Sequence, residues 1–372
     1  MLVIPVSSRR DVRRFVALPY RLHREVPQWV PPLRRDVARF FDRSHPFYVH
    51  SEAAFFAAER DGEVVARVGV HEDTVYNRVR GRRWAFFHLF EASDRESGQA
   101  VLETAAGWAM RRGLDRLVGP IGFLPGDGMG ILVDGFQHPS PMPLQWHPPQ
   151  YGEWLQSFGL TKETDFLSGR VKRPFEMPDA LFEIADAAIA EHGFTIKTFR
   201  TRRELRRWIH HIGEVYNQAF VDNWEYRPIE PGEMRAVADV FLPIADPRLI
   251  LLLMHGEDSV GFFFILPDVG EGLKKAAGRL LPLGWWHILR SARRTGLVDF
   301  LGLGVVPQFQ SNGANMAIYC AVARKALDFP RYRAAELIQV EEGNTRMQRN
   351  IAALGISWNR RHRVYGRALR DR

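Results

Sequence analysis

Apolar and polar positions alternate along the chain with two periods, near 2 and near 3.6, and the changes between them mark out short strands and helices. Residues 2–6 alternate as a strand. Ser8-Arg9-Arg10-Asp11 has capping-box spacing, in which a hydroxyl and a carboxylate satisfy free amides at a helix start. That helix is expected to end near Leu18, because Pro19 disfavours continuation. The prolines of residues 27–47 predict an extended segment. A hairpin follows: Ala53–Glu59, a turn at Arg60-Asp61-Gly62-Glu63, and Val64–Val70. Strand Trp84–Glu91, a helix from Ser97 to Arg112 stopped by Gly113, and strand Asp115–Val118 come next. Helix Tyr151–Phe158, stopped by Gly159, then leads into strand Thr164–Val171.

The order then recurs. Pro243–Pro247 reads as a loop, and Leu249–Met254 and Val260–Leu266 flank a turn at His255–Asp258. Strand Val298–Val306, helix Gly313–Leu327, strand Ala335–Val340, helix Thr345–Leu354 with Gly355 as its stop, and strand His362–Leu369 complete the series. The hairpin turns at Gly62 and Gly256 are 194 residues apart, and the helix stops at Gly159 and Gly355 are 196 apart. Two unrelated landmarks sharing one offset predict a duplicated α/β unit with mixed sheets. The boundary falls between 172 and 195, giving domains 1–175 and 195–372.

A length of 372 residues with 46% hydrophobic and 25% charged residues fits two globular domains or three. The longest unbroken apolar runs, Leu249–Met254 and Val260–Leu266, are far shorter than the ~20 residues that span a bilayer. Charges follow rather than precede the apolar start, the reverse of a secretory signal, so a cytoplasmic address is expected. Cys320 is the one cysteine, which excludes an intrachain disulfide or a cysteine-built zinc site, and no metal is expected. The net charge of +8 comes from 45 arginines and 6 lysines against 43 acids. The arginines are scattered as pairs rather than gathered with aromatics, so they read as solvated surface and no DNA partner is expected.

The sharpest local signal is Val305-Val306-Pro307-Gln308-Phe309-Gln310-Ser311-Asn312-Gly313-Ala314. An apolar strand ends at a proline, a polar loop follows, and Gly313 opens a helix. The free amides and the positive dipole end of a helix start suit a diphosphate. An ordinary strand-to-helix turn would look the same on spacing alone. Gln310–Ala314 resembles the Q/R-x-x-G-x/A signature by which GNAT acyltransferases hold the pyrophosphate of coenzyme A. The order of elements around it is similar too, and Asn344 stands where that superfamily places an Asn after its fifth strand. The whole chain resembles a bacterial family of tandem GNAT proteins. That resemblance implies backbone groups of Val305 and Val306 on the pantetheine arm. It implies Gln310 and the amides of Ser311, Asn312, Gly313 and Ala314 on the diphosphate, and a hydrogen bond from Asn344 to the pantetheine. Acetyl-CoA or another acyl-CoA is the implied co-substrate. Many GNATs carry a Tyr seven residues after that Asn; here the position is Ile351, leaving Tyr365 and Tyr319 as candidate acids. The equivalent amino-terminal stretch, Phe90–Gly98, holds acids that would repel a diphosphate, which implies a degenerate half that does not bind CoA.

Acyl transfer to an amine needs a base. Glu342, past the end of strand Ala335–Val340, and Asp299, at the opening of the preceding strand, are the candidates, with Glu342 favoured; each also reads as a plain strand-end carboxylate. Gly119–Pro149 is a connection long enough to form a functional loop or a structural wrap. Leu273–Arg290 is expected to pack between the halves, with covering a long acyl chain or touching a membrane as alternatives. Cys320 is expected to pack in a helix. The reading is a tandem GNAT fold whose carboxyl-terminal half transfers an acyl group, most simply acetyl, from CoA to an amine acceptor. The alternatives are a long-chain or aminoacyl-tRNA-dependent transferase and a non-catalytic acyl-CoA sensor or scaffold.

Overall fold

The computed structural model describes residues 1–172, 179–224, 226–352 and 355–369. The chain divides into two compact units. The first holds residues 1–167, 270–288 and 359–372, the second 168–269 and 289–358. The units therefore do not follow one cut of the chain, and the expected boundary region lies partly outside the described residues.

The first unit begins with β1 (Leu2–Pro5), α1 (Arg9–Leu22), α2 (Arg34–Ala38), β2 (Glu52–Arg60), β3 (Glu63–Glu72) and α3 (Thr74–Arg80). It continues with β4 (Trp84–Ala92), α4 (Arg95–Arg111), β5 (Arg116–Gly119), β6 (Ile131–Asp134) and α5 (Gln150–Ser157). Strand β7 (Thr161–Lys172) starts in this unit and ends in the second. The second unit then takes α6 (Asp179–His192), β8 (Phe194–Thr198), α7 (Arg202–Ala219), α8 (Pro231–Phe241), β9 (Leu251–His255) and β10 (Asp258–Pro267). Helix α9 (Gly270–Ala276) and the start of α10 (Gly284–Arg294) return to the first unit. The second unit resumes with β11 (Leu297–Val305), α11 (Pro307–Gln310), α12 (Ala314–Leu327), β12 (Ala334–Glu341) and α13 (Thr345–Ala352). Strand β13 (Ser357–Ala368) lies mainly in the first unit, where it pairs antiparallel with β5 and β6.

In the first unit β1, β2, β3 and β4 pair antiparallel in sequence, and β4 pairs parallel with β5. In the second, β8, β9, β10 and β11 pair antiparallel and β11 pairs parallel with β12. The same succession, antiparallel hairpin strands followed by one parallel neighbour, is thus built twice. Each unit has its own apolar core: Val68, Phe87, Phe90, Val101, Leu102 and Leu155 in the first, and Phe194, Leu253, Phe263, Val305, Ile318 and Ile351 in the second. The hairpin turns form as expected, with positive φ at Asp61, Gly62 and Gly256, the cheap route through a tight turn. The glycine stops Gly113, Gly159 and Gly355 also have positive φ. The expected end of the last helix at Leu354 lies outside the described residues.

Three expectations are corrected. Helix α1 does not stop at Leu18 but runs through Pro19, with the His23 amide still donating to the Pro19 carbonyl (2.9 Å). Pro19 has no N–H for the carbonyl of Phe15; buried Arg67 donates to it instead (Nη1–O 3.0 Å). The segment 27–47 is not extended throughout, since α2 and single helical turns at Arg39–Phe41 and Pro46–Val49 occupy much of its second half. Helix α4 starts two residues before Ser97, because the Asp94 carboxylate caps the Ser97 amide (2.9 Å).

Candidate functional site

In the second unit, β10 and β11 shift register between Phe264 and Ile265, so that Leu301 bulges out of the ladder. Strands β11 and β12 pair from Leu297↔Ala334 to Phe300↔Leu337, after which β11 runs on to Val305 and β12 passes through Gln339, whose φ is 57°. Past Val305 the chain makes one short helical turn, α11, with Pro307 at its first position, and then reaches Gly313. Gly313 has φ 76°, and a Cβ there would lie 2.6 Å from the Cβ of Ala188 in α6. Glycine is required on both counts. Helix α12 follows, and its first-turn amides have no carbonyl one turn back inside the helix.

Val305 and Val306 are buried, and the groups expected to serve a pantetheine arm have partners within the chain. The Val305 carbonyl accepts from Gln310 Nε2 (2.8 Å), and the Val306 amide donates to the Val260 carbonyl (2.9 Å). Gln310 is a brace: its Oε1 accepts from Arg346 Nη1 (2.8 Å), which ties the loop to α13. Ser311 is exposed and its hydroxyl donates to Asn312 Oδ1 (3.1 Å). Asn344 caps α13, its Oδ1 accepting from the Met347 amide (3.0 Å). The fold thus gathers Val305, Val306, Gln310, Ser311, Asn312, Gly313 and Ala314. It adds one cation, Arg346, that spacing did not single out.

The candidate catalytic groups separate. Glu342 is half-buried just beyond β12, with its carbonyl accepting from Gln348 Nε2 (2.8 Å). Asp299 is only 3% exposed and is paired in register with Glu336, at 1%, whose carboxylate accepts from Arg170 Nε (2.8 Å). Asp299 is therefore an enclosed carboxylate on the paired stretch of the two strands. Tyr365 belongs to the first unit and is 1% exposed within its core, where burial pushes its phenol up. Tyr365 thus packs as a core residue of the first unit. Ile351 is a core residue of the second unit, and the hydroxyl of Tyr319 reaches the sulfur of Met347 (3.6 Å).

A cavity of about 350 Å³ opens beside the loop, lined by His211, Glu214 and Gln218 of α7, by Glu257–Val260 at the hairpin tip, and by Val306, Gln308 and Phe309. Its carboxylates, Glu214, Glu257 and Asp258, favour a cationic occupant. Burial and the neighbouring His210 hold the His211 imidazole below its ordinary range, and its Nδ1 lies 3.4 Å from Glu214.

The first unit carries a polar cluster that spacing does not reveal. Strand β4 has its own irregularity, a register shift between Arg67 and Gly69 with Leu89 at φ 52°. Where the second unit has its loop, the first has Glu91 and Ala92, covered by Tyr151 of α5. The Tyr151 hydroxyl accepts from the Ala92 amide (2.8 Å) and has its own proton for either the Ala92 carbonyl (2.9 Å) or Glu91 Oε2 (3.0 Å). His23 Nε2 stands 2.8 Å from the same carboxylate oxygen. Burial would raise the Glu91 carboxyl, but His23, Arg67 and His147 together hold it below its usual range. Burial drives His147 down to about 4, and burial with the Arg67 charge drives His88 down to about 3. His362, also buried, falls to about 3. His88 Nε2, Arg67 Nε and His362 Nδ1 have no hydrogen-bond partner among the described residues. The signal in the sequence was a histidine and a glutamate inside the apolar strand Phe86-Phe87-His88-Leu89-Phe90-Glu91.

No family model matches the chain. A tandem GNAT protein from the clavulanic acid biosynthesis pathway superposes with a TM-score of 0.58 at 14% identity, across 100% of this chain and 99% of that one. The fold is the tandem GNAT fold. Two curated proteins are similar along nearly the full length. The bacterial ceramide synthase of Caulobacter vibrioides is 27% identical over 384 aligned positions, covering 99% of this chain and 97% of that protein. Protein YghO of Escherichia coli K12 is 24% identical over 375, covering 99% and 95%. The tandem GNAT fold accounts for the repeated succession of strands, and for the places of β4 and β11 as equivalent strands.

Proposed function

We propose that this tandem GNAT chain is an acyltransferase that moves an acyl group from a CoA thioester to an amine, and that the amine is a long-chain amino alcohol. The observation that carries the reading is the end of β11: a strand leaving its parallel neighbour, a loop closed by Gly313, and the start of α12 beside Arg346. Amides at a helix start and a guanidinium one residue's reach away suit a diphosphate. The diphosphate end of CoA fits this loop. The pantetheine arm needs strand groups other than the Val305 carbonyl and the Val306 amide, which are engaged. The acceptor class is supported by full-length similarity to a ceramide synthase, since a ceramide is an N-acylated long-chain amino alcohol. An acetyl donor, the simplest GNAT co-substrate, is the competing case.

The thioester supplies an electrophilic carbonyl with a good leaving group. The amine nitrogen attacks it, a C–N bond forms as the C–S bond breaks, and the nitrogen loses a proton while the thiolate gains one. Glu342 is the base in this reading, because it is accessible at the end of β12 whereas Asp299 is enclosed. The carboxylates around the cavity hold the ammonium form of the acceptor near the loop before deprotonation.

Thiol release from palmitoyl-CoA and from acetyl-CoA, each with sphinganine or with a short amine, tests this. Release is expected to require the amine, to be faster with the palmitoyl donor and sphinganine, and to fall about 100-fold or more in Glu342→Gln. Absence of amine-dependent thiol release with either donor would overturn it. The burial of Ile351 in the core favours one second reading, an acyl-CoA sensor without the usual tyrosine acid, which would bind the thioester and release no thiol.

A further inference from the structure

The segment formed by α9, residues 277–283 and the start of α10, expected to pack between the halves, belongs to the first unit. Leu273, Ala276 and Ile288 are buried. The side chains between them are not. Ten large hydrophobic residues are exposed among those described, and four fall within 281–286: Leu281 at 77%, Leu283 at 58%, Trp285 at 48% and Trp286 at 42%. These are the exposed tryptophans of the described chain. Isolated exposed apolar residues are ordinary, but such a cluster needs an occupant.

The charge around the cluster says which. Within the first unit, residues 270–288 hold three cations, Lys274, Lys275 and Arg279, and one carboxylate, Glu271, which pairs with Lys274 (3.5 Å). Lys275 and Arg279 are exposed and have no carboxylate partner among the described residues, so the segment keeps a net positive charge. A net-cationic segment with a leucine–tryptophan centre complements an anionic phospholipid surface, where indole rings sit at headgroup depth and basic side chains meet the lipid phosphates. It does not suit a cationic or acid-poor protein surface, and a second copy of this segment would bring like charges together.

The cluster is also held in shape. The Gly278 carbonyl accepts from the Arg34 amide (2.9 Å), and the Tyr20 ring leaves no room for a side chain at Gly278. The Trp285 amide donates to the Leu280 carbonyl (2.9 Å) and its indole N–H to the Pro282 carbonyl (3.1 Å). The indole thus has its polar edge satisfied within the loop while its ring faces out, so insertion strands no donor in the lipid. Among the described residues no helix is long and apolar enough to cross a membrane.

We propose that residues 275–286 form a docking surface for anionic phospholipid bilayers, with Leu281, Leu283, Trp285 and Trp286 entering the headgroup layer. This surface does not depend on the acyl-transfer reading, since vesicle binding requires neither CoA nor turnover. Flotation with vesicles of phosphatidylcholine alone, and of phosphatidylcholine with phosphatidylglycerol, tests it on the full chain. The wild type is expected to float with the anionic vesicles and to be released by salt. Trp285→Ser/Trp286→Ser and, separately, Lys275→Glu/Arg279→Glu are expected to weaken binding about tenfold or more, the charge variant with its melting temperature unchanged because Lys275 and Arg279 are exposed. The proposal is overturned if the wild type ignores anionic vesicles, or if both variants bind as well as the wild type. It is equally overturned if the wild type is a dimer in solution that Trp285→Ser/Trp286→Ser converts to monomer, which would make a second copy the occupant.

Discussion

Pro19 sits inside α1 without the N–H that a helix needs, and the Arg67 guanidinium supplies the missing donor to the Phe15 carbonyl. Arg67→Met should therefore cost about 1–3 kcal/mol, because it leaves that buried carbonyl unpaired. Pro19→Ala, which restores the helix donor, should stabilise the Arg67→Met chain more than the wild type. Urea denaturation of the four members of the cycle measures the coupling, and additivity would contradict it. The buried histidines make a second prediction at this scale. His88, His147 and His362 have folded values driven by burial to about 3, 4 and 3, against an ordinary 6.5. Below pH 6.5 the unfolded chain takes up protons that the folded chain refuses. Stability is thus complete above that pH and is lost as pH falls towards 4, by up to about 1.4 kcal/mol per pH unit for each histidine. The melting temperature should drop across this window, and His88→Gln should make the drop shallower; a melting temperature flat from 6.5 to 4 would refute it. The sequence carried one trace of this, His88 and Glu91 inside the apolar strand β4. His23, Arg67, His147, Tyr151 and His362 share no spacing with them, and only the fold brings them together.

Strands and helices were more legible, because turn and cap chemistry is local. Asp61-Gly62 and Gly256 take the positive φ that a tight hairpin needs, and Ser8 with Asp11 forms both halves of the capping box. Helix α3 escaped notice because Val75, Tyr76 and Asn77 are poor helix formers, and its stability comes from the Asp73 cap and from burial. The strand–loop–helix at Val305–Ala314 was legible as a motif, but its internal hydrogen bonds were not, since Gln310 is fixed by Arg346 from a distant helix. Equivalent strand ends in the two units also differ in what covers them. Tyr151→Phe would leave the Ala92 amide without its partner and should lower stability by about 1–3 kcal/mol by denaturant titration. If Tyr151→Phe is as stable as the wild type, the hydroxyl does not hold the end of β4. Gly313 is a poor place to probe ligand binding, because any side chain there meets Ala188 at unfavourable φ and should destabilise the chain with or without CoA. Ser311, exposed on the same loop, is the better position.

For the whole molecule, the repeat offset near 195 residues foretold two similar folds, and the tandem GNAT fold is what the chain adopts. The return of residues 270–288 and 359–372 to the first unit was not legible, because strand pairing such as that of β13 with β5 is set by tertiary packing. The leucines and tryptophans of 280–289 were visible as composition, but which of them face solvent follows only from the packing of α9 and α10. The central claim is that the second unit, at the loop before α12, holds the diphosphate of a CoA thioester. Calorimetric titration of CoA into the wild type and into Ser311→Glu tests it most directly. Binding by the wild type, weakened about tenfold or more in Ser311→Glu through like-charge repulsion with the unliganded melting temperature unchanged, is the predicted result. Equal affinity in the two proteins, or no binding by the wild type, would contradict it.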